Sequence, residues 1–245
     1  MAVHGRYAQI LVDQFNLSGV SNSIDLQLAL STLDATNFES TDQDNVVGPA
    51  SATLTHAGYF HGKTTGLEQA LYNRRTTPAN VAALFGTHVV KCPAYVLQQS
   101  YANRLNVVAP ANGLIAVDGV WPGGSAGGIK RGLRIFGGTI SAIGAQAGVD
   151  FAEAGAAGGY AWLFVTGING AAVNAAINVE SDDAADFVGA AVEGTFTLSA
   201  MGSQQIILSG TIGRYLRLNA VSLGGATSIT VTGIVSVDGV TENVA

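Results

Sequence analysis

Between Ser23 and Leu30 the apolar residues Ile24, Leu26, Leu28 and Leu30 alternate with Ser23, Asp25, Gln27 and Ala29. A period of two sorts side chains onto opposite faces of an extended strand, which a helix cannot do. The stretch predicts a half-buried β-strand whose polar face carries Asp25 and Gln27. Further strands are expected at 7–12, 51–60, 88–90, 105–109, 115–120 and 132–140. Beyond 144 they are expected at 160–165, 175–180, 195–198, 205–208, 214–220 and 228–237. Such short, regular spacing is that of a β-sandwich, with Leu216, Leu218 and Ala220 turned inward and Tyr215, Arg217 and Asn219 outward. The fold class is all-β.

One helix is expected, from Thr65 to Arg75. Thr65 and Glu68 have the spacing of a capping box, and Leu67, Ala70 and Leu71 share a face that can cover a sheet. Pro78–Phe85 reads as a second short helix closed by Gly86. A glycine-rich stretch at 123–128 and the run of small residues from 144 suggest two domains, 1–143 and 144–245. The second carries nine carboxylates against Arg214 and Arg217.

Composition bears on what such a chain does. It is 48% hydrophobic but only 11% charged, against roughly 25% charged in average soluble domains. An apolar chain with so few charges is expected to hide much of its surface in an assembly of its own copies. The net charge of -6, with no basic grouping beyond Arg74-Arg75 and Lys130-Arg131-Arg134, argues against gripping a duplex. No run of about 18 apolar residues marks a membrane helix, and the N-terminus lacks a signal-peptide pattern. No membrane partner and cytosolic synthesis are expected. The single Cys92 forms no internal disulfide and fits a strand end.

Chemistry-bearing motifs do not assemble. The sequence has no phosphate-binding loop and no nucleophile elbow, and Gly137-Gly138 with Gly144 and Gly148 misses the dinucleotide spacing. His56 and His61 are five apart, on opposite faces of a strand. Glu180, Asp182, Asp183 and Asp186 form the densest acidic group, which reads as a solvated hairpin tip with calcium ligation as the alternative. No enzyme, cofactor or metal is expected.

The order of segments carries more. Asn-Leu-Ser-Gly (16–19) precedes the alternating strand, Thr-Leu-Asp-Ala-Thr-Asn-Phe-Glu-Ser (32–40) breaks it, and Gly-Tyr-Phe-His-Gly (58–62) ends the next. This opening resembles the tail tube proteins of long-tailed bacteriophages, well over 13–62 and loosely over the first 140 residues. The resemblance implies a tail-tube-like β-sandwich domain with one flanking helix, which builds a barrel with its neighbours and is followed by a C-terminal β-sandwich domain. It implies a virion protein of the tail, assembled in the host cytoplasm, whose hexameric rings stack into a tube. DNA would pass without specific binding, and other virion proteins would be partners. The loop Glu39–Ala50 would contact the adjacent ring, through Glu39, Thr41, Asp42, Asp44, Asn45, Val46 and Val47, with Asp25 and Gln27 facing the lumen. Residues 144–245 would lie outside the tube and be dispensable for ring formation. Two other readings share the composition: a capsid, decoration or head-to-tail connector protein, and a receptor- or carbohydrate-binding module using a face around Tyr215, Arg217 and Trp162.

Overall fold

The computed structural model of the protein describes residues 5–34, 45–62, 66–86, 90–123, 128–171 and 174–239. A 3-10 turn (Gly5–Tyr7) leads into β1 (Ala8–Val12), β2 (Phe15–Asn16), β3 (Ser21–Asp34) and β4 (Asn45–Tyr59). Helix α1 (Leu67–Asn73) is followed by β5 (Ala79–Phe85), β6 (Pro93–Ser100), β7 (Arg104–Val108), β8 (Ala116–Pro122) and β9 (Ile129–Ile140). Then come β10 (Gly144–Ala145), β11 (Val149–Asp150), β12 (Gly159–Gly170), β13 (Ala175–Asp182) and β14 (Ala191–Leu198), and finally β15 (Gly202–Leu208), β16 (Tyr215–Ser222) and β17 (Ala226–Val237). The chain is all-β with one α-helix among the described residues, as its alternation predicts.

Contacts group the chain into two units, one of residues 1–19, 80–96 and 130–245 and one of residues 20–79 and 97–129. This line differs from the expected boundary at 143/144, and strand pairing supplies the reason. β9 pairs with β17, with Ile140 opposite Ile229 and Leu133 opposite Val235. An eight-stranded sheet therefore runs β15-β12-β17-β9-β6-β5-β1-β2, mixing strands from both ends of the sequence. The composition shift at 144 marks a run of small residues, not an edge of the fold.

In the first unit, one face of β9, β12 and β17 packs on β13, β14 and β16 of a five-stranded sheet. Leu163, Val165, Ile177, Phe196, Leu216 and Leu218 lie in the resulting core. Residues 216, 218 and 220 are buried and 215, 217 and 219 half-exposed, as expected. The other face of β12 and β17 forms a second core, in which Trp162, Phe164 and Ile234 meet Leu11, Ala82, Leu84, Ala94 and Val96. Strand β5 replaces the short helix expected at 78–85. Its first six residues are buried and it lies between β1 and β6, and a strand covered on both faces loses the alternation that identifies strands.

The second unit is a four-stranded antiparallel sheet, β3-β4-β8-β7, with α1. In β4, Ala52, Leu54, His56 and Gly58 are buried, while Ser51 and Tyr59 are exposed and Thr53, Thr55 and Ala57 half-exposed. Helix α1 has Gly66 at its N-cap with no side-chain capping bond, so burial of Leu67, Ala70 and Leu71 holds it. Thr65, expected as the cap, lies outside the described residues. Arg74 is the C-cap, its N–H donating to the Leu71 carbonyl at 3.2 Å. No described helix is long and apolar enough to cross a membrane.

Candidate assembly surface

The four-stranded sheet has two unlike faces because its register aligns like residues across strands. Leu26 stands opposite Leu54, Leu54 opposite Trp121 and His56 opposite Gly119, giving an inward row. On this side Leu71 of α1 occupies the space above Gly119, where an added Cβ would come within 2.2 Å of Leu71 Cδ2. At Gly58 such a Cβ would meet the Val20 carbonyl oxygen at 2.1 Å first and Leu67 at 3.1 Å. Gly119 thus lets a seven-residue helix sit close against the strands.

The opposite face is polar and open. Asp25 and Gln27 are both exposed, and Gln27 Nε2 donates to Asp25 Oδ2 at 2.9 Å. Asp25 pairs with Thr55 and Gln27 with Thr53. Further along, Asn106 Nδ2 donates to Asp118 Oδ1 at 2.7 Å and Arg104 pairs with Asp118 Oδ2 at 3.0 Å. The face therefore carries Asp25, Asp118 and Arg104, with one of the two carboxylates already paired.

Among the described residues, β3 and β7 each pair with one neighbouring strand and form the two edges of this sheet. β3 occupies one edge and β7 the other, and all three pairings between are antiparallel. With four strands of alternating direction, the edge strands run opposite ways. Beyond Ala52, residues 45–51 of β4 pair with β3 alone among the described residues, forming a two-stranded ribbon that is roughly 20 Å long at strand rise. The segment expected as a loop over 39–50 is thus strand from Asn45 onward. Asn45, Val46 and Val47 stand opposite Asp34, Leu33 and Thr32. Glu39, Thr41, Asp42 and Asp44 lie outside the described residues. At the other end of the sheet, Tyr59, Phe60, Val107, Val108, Leu114 and Ile115 are exposed. The signal for this apolar end was the charge-free run from Leu105 to Val117, which strand assignment alone does not single out.

Other candidates resolve into structural roles. Glu180 is buried, not at a solvated tip. Arg217 Nε and Asn219 Nδ2 donate to its two oxygens at 2.7 and 2.6 Å, and the Arg217 guanidinium lies 4.1 Å from the Phe187 ring centre. Asp182 and Asp186 accept the backbone N–H groups of Ala184 and Val188, and Asp183 accepts that of Arg214. Among the described residues no group of His, Cys, Asp and Glu side chains converges as a metal site. Trp162 is fully buried and Arg217 is engaged, so the expected sugar-binding face is not formed by these residues. Cys92 is buried just before β6; burial pushes its thiol pKa up, against the opposing pull of Arg134. His56 is fully buried and His61 exposed.

No protein-family model matches the chain, and no curated protein matches it. Solved structures similar to it include a chain from the virion of a native gene transfer agent particle, 14% identical, covering 53% of this chain and 98% of that one, at a TM-score of 0.44. A chain of the anti-feeding prophage tube-terminating cap is 8% identical, covering 54% and 91%, at 0.42. The SPP1 Dit protein, described as a hub adsorption apparatus component of phages infecting Gram-positive hosts, is 10% identical, covering 94% and 98%, at 0.32.

Proposed function

We propose that this chain is a structural virion protein, a tail tube subunit whose copies join edge to edge into rings, most simply hexamers, that stack around a DNA passage. The observation that carries the reading is the four-stranded sheet whose edge strands β3 and β7 run in opposite directions and, among the described residues, each pair with one strand. When copies related by rotation sit side by side, β7 of one meets β3 of the next antiparallel, so the pairing rule inside the subunit continues across the junction. A contact between two different edges is head-to-tail and closes into a ring when the rotation allows. Free edges are otherwise an aggregation hazard.

The two faces support the same arrangement. The face covered by α1 would turn outward and the open polar face, with Asp25 and Gln27, toward the lumen. Carboxylates and neutral polar groups there would repel or ignore phosphate, letting DNA slide. The β3–β4 ribbon, with the segment that includes Glu39, Thr41, Asp42 and Asp44, would reach the adjacent ring. No catalytic role is assigned. Breaking the β7 edge tests the reading: Val107→Lys places a charge on an exposed edge residue. Native mass spectrometry should find rings from the wild-type chain and monomers from the variant. A wild-type chain that stays monomeric at high concentration overturns it.

A further inference from the structure

His56 sits at the joint between α1 and the sheet. It is fully buried in the inward row of β4, its partner across the strands is Gly119, and the space above that glycine is filled by Leu71. Its Nε2 lies 2.7 Å from Ser21 Oγ. Its Nδ1 is buried and has no hydrogen-bond partner among the described residues. A neutral ring carrying its proton on Nε2 donates to Ser21 and leaves Nδ1 as a bare acceptor, the less costly of the two ways to leave one nitrogen unpaired. A second proton would place a charged N–H in an apolar joint with no acceptor.

Among the described residues, no charge in the surrounding elements is placed to compensate. Asp25 of β3, Asp118 of β8 and Arg104 of β7 belong to the opposite face by register. The helix contributes Glu68 in its first turn and Arg74 at its C-cap, both half-exposed. Burial pushes the His56 pKa down to about 4. We propose that His56 is an acid-sensitive latch: protonation at Nδ1 separates α1 from the four-stranded sheet and opens the unit of residues 20–79 and 97–129. The latch rests on packing inside this unit and does not depend on ring formation.

The direction of the pH effect follows from linkage. The unfolded imidazole takes up a proton near pH 6.5 and the folded one only near 4. Stability from this site is complete above 6.5 and is lost as pH falls toward 4. Hydrogen exchange read by mass spectrometry on the full chain tests it. Between pH 7 and 4.5, after correction for intrinsic exchange, peptides of α1, β4 and β8 should lose protection while those of β12 and β17 keep it. In His56→Gln, which can still donate to Ser21 but does not titrate, that loss should move down by at least about one pH unit. Equal loss in both proteins overturns the proposal. Should the variant fail to fold, the imidazole signal of His56 in the wild type decides: neutral until the unit opens supports the latch, and titration near 6.5 with the unit intact overturns it.

Discussion

Ser203 Oγ donates to Asp13 Oδ1 across 190 residues of sequence, and Asn80 Nδ2 donates to the same serine at 3.0 Å. Ser203 belongs to β15 and Asp13 to the turn after β1, near opposite ends of the eight-strand order. These bonds tie β15 to the β1 end of the strand order, and Leu11, Ala82, Trp162 and Phe164 share one core. Asp13 is nearly buried. Ser203→Ala, which removes a donor to a buried carboxylate, should cost about 2 kcal/mol in urea unfolding, with no change in the two-unit architecture.

Truncation at Ser141 should not yield a folded ring subunit, contrary to the expectation that residues 144–245 are dispensable. Such a chain keeps β9 but loses β17, the neighbour that pairs with it from Leu133 to Ile140. It also loses Trp162, Phe164 and Ile234 from the core around Leu11. Expression of residues 1–141 should give insoluble or unfolded material by circular dichroism, whereas a soluble, cooperatively folding fragment would contradict the sheet order described here.

Gly119→Ala tests how α1 is seated. Its Cβ would fall within 3 Å of both Leu71 methyl carbons, and Leu71 is fully buried with no free side to move toward. Overpacking of this kind costs about 1–3 kcal/mol, measurable as a lowered urea midpoint. The substitution at Gly123, where the nearest described atom to a Cβ is Ala52 Cβ at 3.4 Å, should be milder.

Two arginines on neighbouring positions of the same unit should behave differently. Arg214 holds Asp150 through two bonds of 2.7 and 2.8 Å and keeps its carboxyl pKa low, at about 2, but both residues are half-exposed. Arg217 serves Glu180, whose side chain is only 8% exposed. Arg214→Ala should lower stability only slightly, since exposed ion pairs are screened by water, and Arg217→Ala should cost about 3 kcal/mol, because it strips the charge partner from a buried carboxylate. Thermal or urea unfolding of the two variants checks the order.

Much of this architecture is legible in the sequence where one face of a strand meets water. Ile24 to Gln27, Leu54 to Gly58 and Leu216 to Ala220 alternate because their strands have a drier and a wetter side, whereas Leu28, expected on the inward face, is exposed. Strand β5 was not legible, since Ala79 to Leu84 is buried on both faces and its alanines favour a helix when read locally. The strand character of Asn45 to Ala50 was hidden by Gly48-Pro49, which reads as a bend but falls within a strand paired along one edge only. The burial of His56 and Glu180 depended on partners distant in sequence, Gly119 with Leu71 for one and Arg217 with Asn219 for the other. That β3 and β7 are the edge strands could be found only once the strand order was known.

Cryo-electron microscopy of the purified chain tests the ring assembly. Stacked rings with an open channel are expected, with β7 of each subunit hydrogen-bonded antiparallel to β3 of the next and Asp25 and Gln27 facing the lumen. Isolated monomers, a closed shell lattice, or rings whose channel is lined by residues beyond 144 would contradict it.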